Sequence, residues 1–529
     1  MTQAAPPDSM PDNHVSILDT TLRDGEQTQG VTFTPAEKSN IAKAFLQKLR
    51  VDRLEIASAR VSAGELLAVQ RTTEWALEHD LLGKVEVLGF IDHTLSVAWI
   101  REAGGEVLNL LTKGSENHCR NQLRKTLKQH VAEIRKTLAY AHQQGLRTNV
   151  YLEDWSNGYH DNPQYVYELV TALKDEGIGH FMLPDTLGVM SPDEVFESFS
   201  DMQERFPWAL FDFHPHNDYG LGVANALYAV KSGIRCIHAT MNCLGERAGN
   251  VALAEIVVAL RDKMKMSLSV DESHLSALSE MVATFSGKRT AANAPIVGED
   301  VFTQTSGIHA DGDKKGGLYH NPITPERFGR RRGYALGKMS GKASLVTNLE
   351  ALGIQLAEEN LKKVLRRVVE LGDSKKTITP ADLPFIITDV LETQDVQHIR
   401  LLGCSLMSGL HLKSVATVCL EIDGQEYNEA GSGNGGYDAF MGAVRKVLRR
   451  RHIECPELVD YEIRIPRGGH TNALTEALIT WQIEGRRLQT VGVDSDQVMA
   501  AVNATLKMLN LRLMQLKTRR SAATEESAA

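Results

Sequence analysis

Residues 209–218 read Ala-Leu-Phe-Asp-Phe-His-Pro-His-Asn-Asp. The apolar run Ala209-Leu210-Phe211 reads as a strand that leads into His214 and His216. Side chains two apart on a strand point to the same face. Two imidazoles on one face can grip one metal ion. An acidic partner is available far upstream, in Leu18-Asp19-Thr20-Thr21-Leu22-Arg23-Asp24-Gly25-Glu26. Two histidines and a carboxylate leave part of a divalent metal's shell open to a substrate. For the tripeptide alone, a chance pair on a polar strand is the competing reading.

Outward from this strand the pattern repeats. Short β-rich runs at 15–20, 53–57, 85–90, 107–111, 148–152, 180–183, 210–213 and 236–241 alternate with helical stretches. Thr34-Pro35-Ala36-Glu37 and Ser191-Pro192-Asp193-Glu194 each put a hydroxyl at the N-cap, proline next and glutamate third. Eight strand–helix units over residues 14–265 predict an α/β fold, a (β/α)8 TIM barrel. A doubly wound open sheet is the alternative, but even spacing favours closure. Arg23 and Asp24 follow strand 1, Leu88 lies on strand 3, Tyr151 and Glu153 close strand 5, and His214 and His216 close strand 7. Alternate strands share a layer of a barrel, so these side chains can converge.

Residues 266–395 read as a helical connector. From 396 to 517 the pattern becomes α+β: strands at 399–407 and 412–422, a glycine-rich loop and a helix at 437–450, then strands at 456–466 and 473–484 and a helix at 495–515. This is a twofold ββα repeat. Residues 1–13 and 518–529 read as disordered ends.

The chain has 529 residues, 42% of them hydrophobic, and a net charge of −9. That charge gives no footprint for nucleic acid. No apolar run approaches the roughly 18 residues of a membrane span. The start has no secretory h-region, and six cysteines without a Cys-x-x-Cys pair suit a reduced cytoplasmic setting.

The segment 18–27, joined to His214-Pro215-His216-Asn217-Asp218 and Leu244-Gly245-Glu246-Arg247-Ala248-Gly249-Asn250, resembles the acyl-CoA/2-oxoacid Claisen-condensing family of isopropylmalate, homocitrate and citramalate synthases. Residues 108–115, 149–158 and 295–313 belong to the same set, and the likeness leans to the citramalate-forming members. The resemblance implies a metal-dependent barrel with a C-terminal regulatory domain. Two positions depart from the family: Pro215 replaces a glycine between the histidines, and Cys243 replaces a glycine before Leu244.

The chemistry this implies needs a Lewis acid on the keto oxygen of a 2-oxoacid. Asp24, His214 and His216 are the expected ligands of a divalent Mn, Mg, Zn or Co, with Asn250 implied as a further member of the shell. Arg23 would offset charge on the attacked oxygen, unless it only pairs with Glu55 or Glu26 at the rim. Glu153 is the expected base for the acetyl methyl, its pKa raised by burial, although the adjacent Asp154 could face the site instead. Thr186 would bind the substrate carboxylate or cap a helix. Leu88, Leu111 and Tyr151 would enclose the methyl of pyruvate and crowd the isopropyl of 2-oxoisovalerate. His309 and Tyr319 resemble connector residues that reach a neighbouring subunit's site, which implies a homodimer.

Gly431-Ser432-Gly433-Asn434-Gly435-Gly436 matches G-x-G-x-x-G, but no βαβ unit surrounds it. It reads as a backbone-amide nest for an amino-acid carboxylate. The resemblance implies isoleucine as effector, with Asp438 on its ammonium and Tyr437, Leu458, Tyr461 and Ile465 around its side chain. The expected reaction joins pyruvate to acetyl-CoA, the co-substrate. The alternatives are isopropylmalate synthesis, a lyase running the cleavage direction, and an amino-acid sensor on an inactive barrel.

Overall fold

A computed structural model describes residues 13–306, 308–309, 312, 318, 321–352, 354–373, 378–391, 398–464 and 475–528. Residues 1–12, Tyr319 and Ile465 lie outside the described residues.

Eight parallel strands close into a barrel in chain order. They are β1 (Ser16–Asp19), β2 (Arg53–Ser58), β3 (Val85–Phe90), β4 (Val107–Lys113), β5 (Arg147–Glu153), β6 (Ile178–Asp185), β7 (Phe211–Pro215) and β8 (Cys236–Ala239). The expected barrel is the one observed. Both quoted helix starts form reciprocal capping boxes, Thr34 with Glu37 and Ser191 with Glu194. Each box satisfies two backbone donors that a helix start otherwise leaves orphaned.

Alternation along the strands sorts the core. Leu54, Ile56, Val85, Val87, Leu108, Leu110, Val150, Leu152, Phe211 and Phe213 belong to one large buried cluster with helix side chains. The intervening positions fill the barrel, and many are polar: Arg53, Glu55, Glu86, Asn109, Asn149, Asp212 and His238 hydrogen-bond to one another across strands. Pro215 sits where β7 pairs with β6 through Asp185, after its single pairing with β8 at Phe213 and Ile237, so its missing N–H breaks no ladder there. The compact unit continues past residue 265: Leu275, Leu278 and Val282 of helix Leu275–Ser286 join the barrel core, and the unit comprises Met1–Phe302 and Asn321–Arg331.

The second unit comprises Thr303–His320 and Arg332–Ala529. One part has a helical core around Leu345, Leu361, Val364, Val368 and Leu383. The other carries two antiparallel three-stranded sheets, Ile399–Met407, Ser414–Ile422 and Gln425–Gly433, then Glu457–Arg464, Thr475–Ile483 and Arg486–Asp494. Each half of the α+β repeat thus holds one strand more than the two expected. The extra strands follow tight turns at Asp423-Gly424 and Glu484-Gly485, where both residues take positive φ. Such turns set a hairpin register directly. Of the stretch expected as a glycine loop, residues 431–433 end a strand, Asn434 and Gly435 make the turn, and Gly436 opens the helix as expected. A Cβ on Gly431 would lie 2.3 Å from Ala439 O and Ala443 N, so glycine here lets helix Gly436–Arg450 lie flat on its sheet. The last helix, Gln497–Ala528, runs through the segment expected to be an irregular tail. Its Ala and Glu content favours helix.

The close approach makes a prediction. Gly431→Val should destabilise the second unit by about 1–3 kcal/mol through overpacking. Thermal unfolding of the full chain checks it; an unchanged transition contradicts the packing.

Candidate active site and metal centre

The C-terminal ends of the strands gather the candidate residues. After β1 the chain turns so tightly that the N–H groups of Arg23, Asp24 and Gly25 all donate to Thr20 O, at 3.2, 2.9 and 3.0 Å. That turn aims the Asp24 carboxylate at β7. His214 Nε2 lies 2.8 Å and His216 Nε2 3.8 Å from Asp24 Oδ2. All three are buried, and one ligand atom from each lies within 4.8 Å of the others. A backbone bridge between His216 and Asn250 brings the fourth residue in. Asn250 Nδ2 donates to Asp24 Oδ2 at 3.1 Å and lies 3.2 Å from His214 Nε2.

The donor set suits a divalent cation. Asp24 Oδ1, Asn250 Oδ1 and His216 Nδ1 are buried without a hydrogen-bond partner. Rotating the Asn250 amide would present its oxygen where its nitrogen now sits, and that choice of orientation is set by neighbours. Burial pushes His214 down and His216 down to about 4, so both imidazoles are neutral at pH 7, as ligation requires. Burial opposes ionisation of Asp24, but the Arg23 guanidinium beside it holds its carboxyl well below the usual range.

Arg23 lies alongside. Its Nη1 is 3.3 Å from Asp24 Oδ2, and its Nε–H donates to Glu55 Oε2 at 2.7 Å. Glu55 also accepts from Thr20 and Asn109. The pair with Glu55 is therefore present, but buried at the barrel centre rather than at the rim. Glu26 instead pairs with Lys38, at 2.7 Å. Below, Leu18, Leu88, Tyr151, Met182 and Cys236 form a buried cluster that Leu111 joins from its edge. The Tyr151 hydroxyl lies 3.0 Å from His238 Nδ1 and 3.4 Å from Arg23 Nη2. Even-numbered strands thus contribute to the pocket as well as odd ones.

Glu153 differs from expectation in its surroundings. It is half-buried, and its carboxylate is ion-paired with the Lys113 ammonium from the end of β4. The apolar confinement expected around this base is therefore absent. Asp154 faces away: its carboxylate accepts from Asn157 and lies 3.3 Å from His118 Nε2. The Thr186 hydroxyl accepts from the Asp154 N–H at 2.9 Å, which ties the β6 loop to the β5 loop. Cys243 takes a positive φ of 58°, the conformation glycine would adopt freely, and its thiol donates to Asn250 O at 2.9 Å. His309 is exposed, in the second unit. Also in that unit, the Tyr437 and Tyr461 rings stack 5.2 Å apart, and Leu458 packs against the same core. Asp438 Oδ2 accepts from the Asn434 N–H at 3.0 Å, so this carboxylate already closes the turn before its helix.

Sequence reasoning missed Lys113, His238 and Asp212, and credited Glu55 only with a rim pair. The signal was there: each is a polar residue at an inward position of a strand whose outward positions are apolar.

A family model described as HMGL-like matches residues 14–282. The chain belongs to that family. A model described as homocitrate synthase post-HMGL domain-like matches residues 296–376, and one described as LeuA allosteric (dimerisation) domain matches 377–513. A putative (R)-citramalate synthase of Methanopyrus kandleri is 35% identical over 88% of this chain and 90% of its own. The (R)-citramalate synthase of Methanocaldococcus jannaschii is 33% identical, over 94% of this chain and 99% of its own. A probable 2-isopropylmalate synthase of Methanopyrus kandleri is 34% identical over 95% of this chain and 98% of its own. Within the HMGL-like family the chain groups with these synthases, and it is an acyltransferase. No helix among the described residues is long and apolar enough to cross a membrane.

The cluster predicts the outcome of metal analysis. Asp24→Ala and His216→Ala should each lower bound metal and activity together, with the fold retained. Full metal content in His216→Ala contradicts the assignment.

Proposed function

We propose that the enzyme condenses pyruvate with acetyl-CoA and water to give (R)-citramalate and CoA, as the first step of a pyruvate route to isoleucine, and that isoleucine inhibits it. The observation that carries this is the convergence of Asp24, His214, His216 and Arg23 above a floor of Leu88 and Tyr151. A divalent ion held by Asp24, His214, His216 and Asn250 would act as a Lewis acid toward the oxoacid.

The chain's own residues do the rest. Arg23 brings a fixed cation to the oxygen where charge develops, and Glu55 holds that cation in place. Because Glu55 and Asp24 flank it, the guanidinium stays oriented before substrate arrives. Glu153 takes a proton from the acetyl methyl. Lys113 holds the Glu153 carboxylate in place. Thr186, tied to the β5 loop, lies near the oxoacid carboxylate in this reading. His309 and Tyr319 would act on a neighbour's site in a homodimer, consistent with the dimerisation-domain match. A reducing cytoplasm suits the six free cysteines.

The metal would be Mn, Mg, Zn or Co. Isopropylmalate synthesis is the second reading, favoured by the similarity to a probable 2-isopropylmalate synthase. Pocket size separates the two. A misplaced methylene in an apolar pocket costs about 1–3 kcal/mol, or roughly 10–200-fold. Thiol release with pyruvate should therefore far exceed that with 2-oxoisovalerate, and Leu88→Ala should narrow the gap. Equal turnover of both oxoacids would give the second reading the place. Glu153→Gln should lower kcat by roughly 10²–10⁴-fold, the usual worth of a general base. Unchanged kcat would remove Glu153 from the mechanism.

For regulation, isoleucine should inhibit more strongly than leucine. Tyr461→Ala should lose that inhibition and keep basal activity, since Tyr461 packs against the core of the C-terminal α+β part. Stronger inhibition by leucine, or isoleucine sensitivity unchanged in Tyr461→Ala, contradicts this.

A further inference from the structure

Beneath the ligand cluster a second set of polar groups runs down the barrel interior. His214 Nδ1 lies 3.2 Å from His238 Nδ1. His238 Nε2 lies 3.3 Å from Asp212 Oδ2. Asp212 is gripped from below, by Arg53 Nη1 at 2.5 Å on Oδ2 and by His180 Nδ1 at 2.7 Å on Oδ1. His238 and Asp212 are buried, at 1% and 0% exposure, so no water competes for these contacts.

Asp212, Cys236 and His238 also place one ligand atom each within 4.8 Å of one another. A second metal does not fit there. Arg53 Nη1, besides its contact with Asp212, is 3.4 Å from Cys236 Sγ, so the guanidinium already supplies the cation. The set has a different use.

We propose that His238 is a positioning residue for the metal centre: anchored on Asp212, it fixes the tautomer and ring orientation of His214. This rests on the reading of Asp24, His214 and His216 as metal ligands. The argument is one of hydrogen positions. A neutral imidazole has one N–H and one lone pair. To give its Nε2 lone pair to a metal ion held together with Asp24, His214 must carry its proton on Nδ1. That proton faces His238 Nδ1, which must then accept. His238 therefore carries its own proton on Nε2, facing the Asp212 carboxylate, which can only accept while Arg53 and His180 hold it ionised. Reversing His238 would set a lone pair against the carboxylate and an N–H against His214 Nδ1. His214 would then carry its proton on Nε2, blocking ligation. The Tyr151 hydroxyl fits this assignment: it lies 3.0 Å from His238 Nδ1 and 3.3 Å from Glu55 Oε2, and as a donor to either it requires no proton on His238 Nδ1. Partners of this kind typically change metal affinity roughly 10–100-fold when lost.

The test measures Zn²⁺ affinity of the full-length chain by competition with a chromophoric chelator. His238→Phe keeps the ring and removes both nitrogens. It should weaken Zn²⁺ binding roughly 10–100-fold. His238→Gln offers an acceptor to His214 and a donor to Asp212, and should recover much of the loss. Nitrogen-15 spectra of the zinc-loaded wild type should show His238 protonated on Nε2 and His214 on Nδ1. Wild-type affinity in His238→Phe, Gln no better than Phe, or His238 protonated on Nδ1 would each overturn the proposal; the spectrum decides even if a variant fails to fold. His214→Ala separates the two readings. If it loses zinc while His238→Phe does not, only this inference fails. If it binds zinc as the wild type does, the metal reading fails and takes this one with it.

Discussion

A carboxylate buried at the top of the barrel has to be stabilised by its neighbours, and Asp24 is that carboxylate. An unpaired buried charge is among the costliest features a fold can carry. Arg23 and two imidazoles surround it, and Arg23 in turn needs Glu55. Glu55 needs Thr20 and Asn109, and Asn109 is shared with Glu86, which pairs with Arg53. The chain of compensation ends at Asp212 and His180. Ion pairs and hydrogen bonds link each step to the next, so the polar interior is one network rather than separate salt bridges. The apolar cluster between barrel and helices supplies the burial that stabilises the fold. The interior gives up some of that to hold a precise constellation.

The barrel was legible because its outward positions are largely apolar and its helix starts carry capping boxes. His214 and His216 were legible because their spacing puts both on one face. What the chain could not display was which polar residues meet. Glu55 and Arg23 are 32 residues apart, and His238 and His214 are 24 apart. Only the pairing of β1 with β2 and of β7 with β8 makes them neighbours. The same holds for Glu153, where the decisive neighbour, Lys113, comes from the adjacent strand through the β4–β5 register.

In the second unit the differences have two causes. Gly431 and Gly433 look like part of a glycine-rich loop in one dimension. In three they form the seam where a helix lies against a strand too closely for any side chain. Two Gly-containing turns, at Asp423-Gly424 and Glu484-Gly485, add a strand to each half. Helix packing and hairpin chemistry thus explain a motif that resembles a nucleotide loop only as text.

The central claim is that Asp24, His214, His216 and Asn250 surround one divalent ion at which a 2-oxoacid binds. The most direct measurement is anomalous diffraction from crystals of the manganese-loaded enzyme soaked with pyruvate. The account predicts a single strong anomalous peak among those four side chains, with pyruvate density beside it and its methyl toward Leu88 and Tyr151. A peak elsewhere in the barrel, or pyruvate bound away from it, would contradict the account.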